Sequence, residues 1–425
     1  MQYIADFHSH SKYSRATSKL MDLEHFNQWA KIKGIDILTV ADFTYPAWIA
    51  ELKEKLEPSE NEGLFIIKKS FLNNQSNSIQ FIFTTEISCI YTKNGRGRRV
   101  HILIFAPDFK TVEKINAQLS LRGNLKSDGR PILGLDAKEL AKIILDISED
   151  CLIVPAHAWT PWFSIFGSKS GFDSIEECFE ELTPRICAIE TGLSSDPAMN
   201  HCLSVLDKIT LISNSDAHSL QNLGREANVF DFENLSYKEI IKAIKQSKNS
   251  NNKLLYTIEF FPEQGKYHFD GHRDCQINFS PEQTKKHLGI CPKCKKLLTK
   301  GVLYRINELA DRSAIEIDSK KFIPYKKIIP LQEIIAKTLK QGKNSKKIER
   351  EYFNLIRQGK NEFNIFLNLT YDALKKITSN EIVETIKKMR EEKIIFNPGY
   401  DGVYGEIKIP KEKDKNEQEN LFDKI

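Results

Sequence analysis

Short apolar runs alternate with helix-period stretches over residues 1 to about 250. Runs of strand length fall at 3–7, 35–40, 81–88, 100–106, 152–156, 186–190 and 211–213. Between them, apolar positions recur every three to four residues at 23–33, 137–146, 175–182 and 237–245, as on one buried helix face. Strand and helix in alternation predict an α/β barrel or wound sheet. The pattern then changes. The Lys- and Asn-rich stretch 246–252 reads as a linker. A compact Cys/His-bearing unit follows at 253–320. From 321 the period is helical (331–339, 346–357, 371–377, 380–390), ending in a β-like segment, 394–409, with turns at Pro398-Gly399 and Asp401-Gly402. The charged stretch 410–425 is expected to be disordered. The expected division is therefore 1–252, 253–320, 321–409 and 410–425.

Composition adds little to this picture. Of 425 residues, 40% are hydrophobic and 28% charged, which is ordinary for globular chains. No apolar run reaches the roughly 18 residues of a membrane span, and the first strand begins without a signal-type segment. A soluble, cytoplasmic protein with no membrane partner is expected. Charge is more informative in its distribution. Residues 1–312 balance 39 Lys+Arg against 39 Asp+Glu, so the net charge of +5 arises wholly beyond them. Residues 321–360 hold eleven Lys/Arg and three Glu. That segment is either a solvated helix face or a surface for a phosphate backbone, with Lys343, Lys346, Lys347 and Arg350 as candidate contacts.

Candidate chemistry collects at strand ends. His8 and His10 form an H-x-H after the first strand, Asp42 ends the second and Glu86 closes the third. His101 opens the fourth and His157 follows the fifth, while Asp216 and His218 follow the run at 211–213. Any one of these is commonplace. Together they put a metal-capable group at nearly every strand end, where barrel enzymes place their chemistry. Imidazole with carboxylate suits Zn²⁺, Mn²⁺ or Fe²⁺ better than Mg²⁺, and a carboxylate bridging two ions would suit attack on a phosphoester. A second constellation, His272-x-x-Cys275 with Cys291-Pro-Lys-Cys294, has the spacing of a structural zinc site. His268 is near enough to compete for the histidine position. The five other cysteines read as buried free thiols.

Basic and aromatic groups flank the first constellation. Arg96, Arg98 and Arg99 precede His101 and read either as a solubilising turn or as phosphate contacts. Trp159, Trp162 and Phe163 follow His157 and read either as rim packing of the barrel or as surfaces on which a base turned out of a duplex could stack.

H-x-H, a later A-H and a final S-D-A-H, in that order, resemble the PHP phosphoesterases. The resemblance implies a distorted (β/α)7 barrel with two or three divalent ions. Carried over, His8, His10, Glu86 and Asp216 would hold one ion, and Glu86, His101 and His157 the second. His218 would serve a third ion or a phosphate oxygen, and Asp42 would be either a ligand or only an ion-pair partner. Asp216, Glu86 and His218 would carry catalysis. Two departures stand out: Arg15 lies where the family often has an acid, and Phe43 follows Asp42 in place of histidine. Both missing groups belong to the third ion.

Longer stretches sharpen the likeness. Phe7-His8-Ser9-His10-Ser11-Lys12-Tyr13-Ser14, Ala156-His157-Ala158-Trp159-Thr160-Pro161-Trp162-Phe163, Glu190-Thr191-Gly192-Leu193-Ser194-Ser195-Asp196-Pro197 and Tyr267-His268-Phe269-Asp270-Gly271-His272-Arg273 resemble endonuclease Q. The third of these adds Ser194 and Ser195 to the base-contact candidates. The resemblance runs from Phe7 to about Ile409. It implies incision of DNA 5′ to uracil, hypoxanthine, xanthine or an abasic site, leaving 3′-hydroxyl and 5′-phosphate ends. It implies two or three barrel ions (Zn²⁺, Mn²⁺ or Mg²⁺) and one structural zinc. A replication-clamp partner is not readable from the sequence. A small-molecule phosphatase of the same barrel would need neither the zinc module nor the basic helices. A non-catalytic DNA-binding protein would not need the intact ligand set.

Overall fold

The computed structural model describes residues 1–72, 78–246 and 252–408. The expected tail and most of the expected linker fall outside them. Strand Gln2–Asp6 lies inside an eleven-stranded mixed sheet. It runs parallel to Ile37–Thr39 and antiparallel to Ala227–Asp231. Ile37–Thr39 continues parallel to the long strand Gln80–Lys93, which turns back into Arg96–Ala106, and that strand pairs with Leu152–Pro155. The short strands Ala188–Glu190 and Thr210–Ile212 pair with each other and are joined to their neighbours by a few isolated bonds. The Ala158 N–H donates to Glu190 O, and the Asn228 side chain bonds both N–H and C=O of Ser213.

One apolar cluster draws Phe7, Ile37, Ile82, Leu103, Phe105, Val154, Ala188, Ile212 and Phe230 from successive strands. Such a set can meet only on the concave side of a curled sheet. Helix Tyr237–Ile244 packs into the same cluster with Ile240, Ile241 and Ile244. The outer face is covered by Leu23–Lys33, Pro46–Lys55, Phe109–Ser120 and Ala137–Ile147, whose buried stripes join a second, larger cluster. Pro46–Lys55 and Phe109–Ser120 were not among the expected helices.

The hairpin at Lys93↔Arg96 turns on Asn94 (φ 52°) and Gly95 (φ 72°). A two-residue turn with both residues left-handed matches the twist of the flanking strands. Arg96, Arg98 and Arg99 therefore lie on the strand rather than in the turn.

The sheet continues past residue 252. Lys253–Phe260 pairs antiparallel with Ala227–Asp231 and parallel with Tyr325–Ile328. None of these three was an expected strand. Between them sits the Cys/His unit, with the hairpin Asp270–His272/Ile277–Phe279 and helices Pro281–Lys286 and Val302–Leu309. Helices Leu331–Thr338, Lys346–Gly359, Glu362–Leu367, Tyr371–Lys375 and Asn380–Arg390 follow, then the hairpin Ile395–Asn397/Glu406–Lys408. A buried ion pair clamps this region to the first helix: Lys33 Nζ lies 2.7 Å from Glu362, which also accepts from Tyr352 Oη at 2.7 Å and Leu331 N at 2.9 Å. A buried pair with its remaining valences filled favours one docking geometry. Among the described residues no helix is long and apolar enough to cross a membrane.

Candidate metal centres

Six ligand-type side chains meet at one end of the curled sheet. His8 and His10 are carried out of strand Gln2–Asp6, and both are fully buried. Glu86 and His101 face each other diagonally across the antiparallel pair, in which Ser88 opposes His101 and Glu86 opposes Leu103. His157 and Asp216 each follow a strand in a left-handed backbone conformation, with φ of 30° and 45°. Non-glycine residues rarely adopt it, and such strain gathers at functional sites. Gly192 makes the His157 turn feasible, since a Cβ there would lie 2.7 Å from that of His157.

Glu86 uses its two oxygens in two directions. Oε1 lies 2.7 Å from His101 Nδ1 and 3.0 Å from His157 Nε2. Oε2 lies 3.3 Å from His10 Nε2 and 3.5 Å from His8 Nε2. Asp216 Oδ1 closes the second side, 3.1 Å from His10 Nε2 and 3.7 Å from His8 Nε2. The result is two donor groups, His8/His10/Glu86/Asp216 and Glu86/His101/His157, sharing one carboxylate. The donor chemistry suits a pair of divalent ions. His8 Nε2 supports that fit independently: it is buried without a hydrogen-bond partner and points into the first group.

Behind the donors, carboxylates fix the imidazoles. Glu190, which carried no expected role, accepts from His8 Nδ1 at 3.0 and 3.1 Å, and takes His157 N at 2.8 Å and Asn214 Nδ2 at 2.9 Å. Asp42 does the same for His10: Oδ1 lies 3.1 Å from Nδ1, while Oδ2 accepts from Ser11 N, Ser11 Oγ and Ser14 Oγ at 2.6–2.9 Å. The expectation of Asp42 as a ligand is corrected here. Its oxygens are occupied on the far side of His10, and it joins neither donor group. Holding one ring nitrogen in this way fixes the tautomer and aims the other nitrogen inward.

His218 also joins neither group. Its ring centroid is 4.5 Å from that of His10 and its side chain is partly exposed at the rim. Phe43 is buried in the core and Arg15 turns to Asp128 at 3.4 Å, so neither offers a donor for a third ion.

Charge is balanced tightly. Burial would raise the pKa of Glu86, but His101, Arg130 and His8 outweigh it and hold the carboxylate well below the usual range. Asp216 is likewise lowered despite burial, by His10, His218 and His8. Burial would lower His10, yet Asp42, Asp216 and Glu86 bring it up to about 10. His101 goes the other way: burial dominates and takes it down to about 4.

The second constellation forms as well. His272, Cys275, Cys291 and Cys294 bring one donor atom each within 4.8 Å of the others, with His272 Nδ1 3.5 Å from Cys294 Sγ. One imidazole and three sulfurs are a structural zinc set. His268 is buried elsewhere, stacked on Phe269, which leaves His272 as the histidine. Burial would raise the Cys291 thiol, but the N–H groups of Cys294 and Lys293 bring it down to about 6, as a thiolate ligand requires. Cys291→Ser is expected to lose the one tightly held zinc and to melt several degrees lower, because binding and folding of such modules are coupled. Differential scanning calorimetry and zinc titration check this, together with turnover per folded molecule, which should persist.

The comparisons agree with this geometry. A PHP-associated family model matches residues 208–249, the stretch bearing Asp216 and His218, and an MJ0043 C-terminal domain model matches 330–393. Among curated proteins, one from Methanocaldococcus jannaschii is 35% identical over 265 residues, 60% of this chain but only 32% of that protein. One from Bacillus subtilis is 27% identical over 88% of this chain and 89% of its own length. The crystal structure of the lesion-specific endonuclease PfuEndoQ from Pyrococcus furiosus matches with a TM-score of 0.84 at 33% identity, covering 100% of this chain and 99% of that one. An endonuclease Q complexed with a 27-mer duplex substrate bearing an abasic lesion at the active site matches with a TM-score of 0.85 at 33% identity, over 99% and 100% of the two chains. The chain belongs to the endonuclease Q family. Its fold is of the PHP type, mixed α/β with a helical C-terminal region.

For a member of the endonuclease Q family, the remaining candidates divide sharply. Trp159 is corrected: it is 1% exposed, its indole N–H donates to Asn200 Oδ1 at 2.7 Å, and Phe166 covers its ring. No face remains for a base. Arg98 is corrected too, because it is buried over Phe172 with its guanidinium on Gly171 O. The Ser195 hydroxyl is spent on Thr191 O and Asn200, and Ser194 lies beneath Gly265. Trp162 and Phe163 do stand at the rim. Phe163 lies 4.7 Å from the His101 ring with exposed Arg99 above it, and Trp162 meets Tyr267 of the zinc module edge-on. Arg96 is exposed further along the same strand. Lys343 is tied to Glu333, whereas Lys346, Lys347 and Arg350 are exposed on helix Lys346–Gly359.

Proposed function

We propose that this chain is a DNA-repair endonuclease that hydrolyses the phosphodiester 5′ to a deaminated base (uracil, hypoxanthine or xanthine) or an abasic site, leaving 3′-hydroxyl and 5′-phosphate ends. One observation carries the reading. The shared carboxylate of Glu86 stands between two donor groups, in a chain matched along its length by an endonuclease with an abasic duplex at its active site.

His8, His10, Glu86 and Asp216 would hold one divalent ion (Zn²⁺, Mn²⁺ or Mg²⁺), and Glu86, His101 and His157 another. Such ions supply Lewis acidity and a nucleophile at neutral pH. Glu190 and Asp42 hold the outer ring nitrogens of His8 and His10 and so keep the inner nitrogens aimed at the ion site. Asp216, the ligand with the most exposed side chain, faces the incoming substrate, and His218 beside it is placed to meet a phosphate oxygen or protonate a leaving group. Trp162 and Phe163 offer faces to an extruded nucleotide. Arg96, Arg99 and the exposed basic residues of helix Lys346–Gly359 hold the backbone.

A panel of end-labelled duplexes, each with one uracil, hypoxanthine, xanthine or abasic site, tests the reading. Ion-loaded protein should cut the lesion strands on the 5′ side and spare the undamaged control. Turnover of histidinol phosphate with no cut in any duplex would favour the small-molecule phosphatase.

The basic helix has its own test. Neutralising Lys346, Lys347 and Arg350 together should weaken binding to damaged and undamaged duplexes alike, by roughly tenfold at moderate salt. It should also flatten the plot of log affinity against log salt by up to about 0.9 for each phosphate no longer neutralised. Selectivity should survive. An unchanged slope in fluorescence anisotropy would make the helix face a solvated one only.

A further inference from the structure

We propose that Arg130 is a substrate-contact residue that grips a non-bridging oxygen of the scissile phosphodiester, leaving Glu86 when the ions are in place. The inference rests on the proposed phosphodiester substrate.

No motif marks Arg130, yet the fold holds it over the centre of the site. The strand Ile132–Leu133 pairs parallel with the strand that carries Glu86, and Ser88 N donates to Pro131 O at 3.0 Å. On the other side, Gly129 N donates to Tyr13 O at 3.2 Å. A Cβ on Gly129 would come within 2.5 Å of Asp42 Oδ2, so the loop lies directly on the His10–Asp42 corner. The Asp128 side chain accepts from Arg130 N and closes the turn. From this anchored backbone, Arg130 Nη1 reaches Glu86 Oε2 at 2.9 Å. That is the oxygen aimed at His8 and His10.

The guanidinium has five N–H donors. Among the described residues, its one side-chain hydrogen bond goes to Glu86. Its side chain is 27% exposed, whereas Glu86 beneath it is fully buried. The remaining donors lie on a partly exposed side chain above the buried carboxylate. Arg130 stands where positive charge is wanted beside a carboxylate that both donor groups need. Two divalent ions on Glu86 would repel the guanidinium and compete for the same oxygen. Arginine cannot relieve this by losing its proton. A phosphodiester arriving at the ions supplies the replacement anion, and its paired oxygens match the planar fork. The residue thus has two partners in sequence, first Glu86 and then the substrate.

A coupling measurement tests this. Binding is measured in Ca²⁺ for wild type, Arg130→Ala and Arg130→Lys, on an abasic duplex with either a normal scissile phosphate or a neutral methylphosphonate there. The strands are checked intact afterwards. Methylphosphonate should weaken wild-type binding by about tenfold or more. In Arg130→Ala the same replacement should cost clearly less than in wild type, because one partner of the lost charge is gone while the ions keep theirs. Arg130→Lys should fall between, and it serves if the alanine variant melts early. An equal loss in all three proteins would overturn the proposal. So would an Arg130→Ala that keeps the wild-type methylphosphonate loss but no longer binds Mn²⁺ in calorimetry, since Arg130 would then only position Glu86. If wild type neither binds nor cuts the abasic duplex, the functional reading itself fails. If wild type cuts and no coupling is found, only the role of Arg130 fails.

Discussion

Asp216→Ala is expected to lower turnover on an abasic duplex by on the order of a thousandfold, about 4 kcal/mol of transition-state stabilisation, with duplex affinity unchanged within severalfold. Asp216 closes the first donor group but lies at the rim, so it shapes neither the core nor the rim aromatics Trp162 and Phe163. Its backbone is held independently of the carboxylate, by Arg225 donating to Ser215 O at 2.9 Å and to Asp216 O at 3.3 Å. Position 216 has a left-handed φ of 45°, which alanine tolerates less well than aspartate or asparagine. Asp216→Asn is therefore the cleaner companion. It keeps shape and backbone but not charge, and its loss should still be on the order of a hundredfold or more. Single-turnover cleavage beside anisotropy binding separates the two parameters. An alanine variant of near-wild-type rate would place the chemistry elsewhere.

The second large effect is on ion binding as pH changes. Burial pushes His8 and His10 towards neutrality, but Glu190 and Glu86 raise His8 well above its usual value, and Asp42, Asp216 and Glu86 raise His10 to about 10. Without ions, then, the imidazoles carry protons at neutral pH and balance Glu86 and Asp216, whose own pKa values are held low. An ion needs the bare nitrogen, so its binding must release protons. The sign follows: apparent affinity rises with pH between 6 and 8, by about tenfold per pH unit for each proton displaced, or roughly a hundredfold or more across the window. In the ion-free protein the direction reverses. The raised histidines contribute stability that is fully present below their unfolded pKa of about 6.5 and is lost at higher pH, for His10 as pH rises through about 10. Calorimetry of Mn²⁺ binding in two buffers of different ionisation enthalpy counts the protons directly. At least one should leave per first-site ion at pH 7, and a pH-independent affinity with none released would contradict this electrostatic picture.

What could be read from the sequence follows from where each interaction is encoded. H-x-H, A-H and S-D-A-H are local, and each puts candidate ligands beside a strand end, so the meeting of His8, His10, His157 and Asp216 was legible. Glu86 and His101 needed only the order of strands. Asp42 shows the limit of such reading. A carboxylate that ligates an ion and one that orients the ligating histidine look identical in sequence, and only its hydrogen bonds to Ser11 and Ser14 tell them apart. Glu190 and Arg130 were missed because their partners lie 182 and 44 residues away, brought together by topology alone. Trp159 and Trp162 are three apart in one loop, and nothing local says that the first turns inward to Asn200 while the second stays at the rim. Ala227–Asp231 and Lys253–Phe260 escaped notice for another reason. Each is short or mixed in polarity, and becomes a strand through its pairing partners.

In the proposed chemistry Glu86 serves two ions at once. Anomalous diffraction from crystals soaked in Mn²⁺ measures this most directly, with data collected on both sides of the manganese edge. Two manganese peaks should appear, one on either side of the Glu86 carboxylate. One would lie among His8, His10 and Asp216, the other between His101 and His157, with the separate zinc signal at Cys275, Cys291 and Cys294. A fully occupied zinc knuckle with no manganese beside Glu86 would contradict the account.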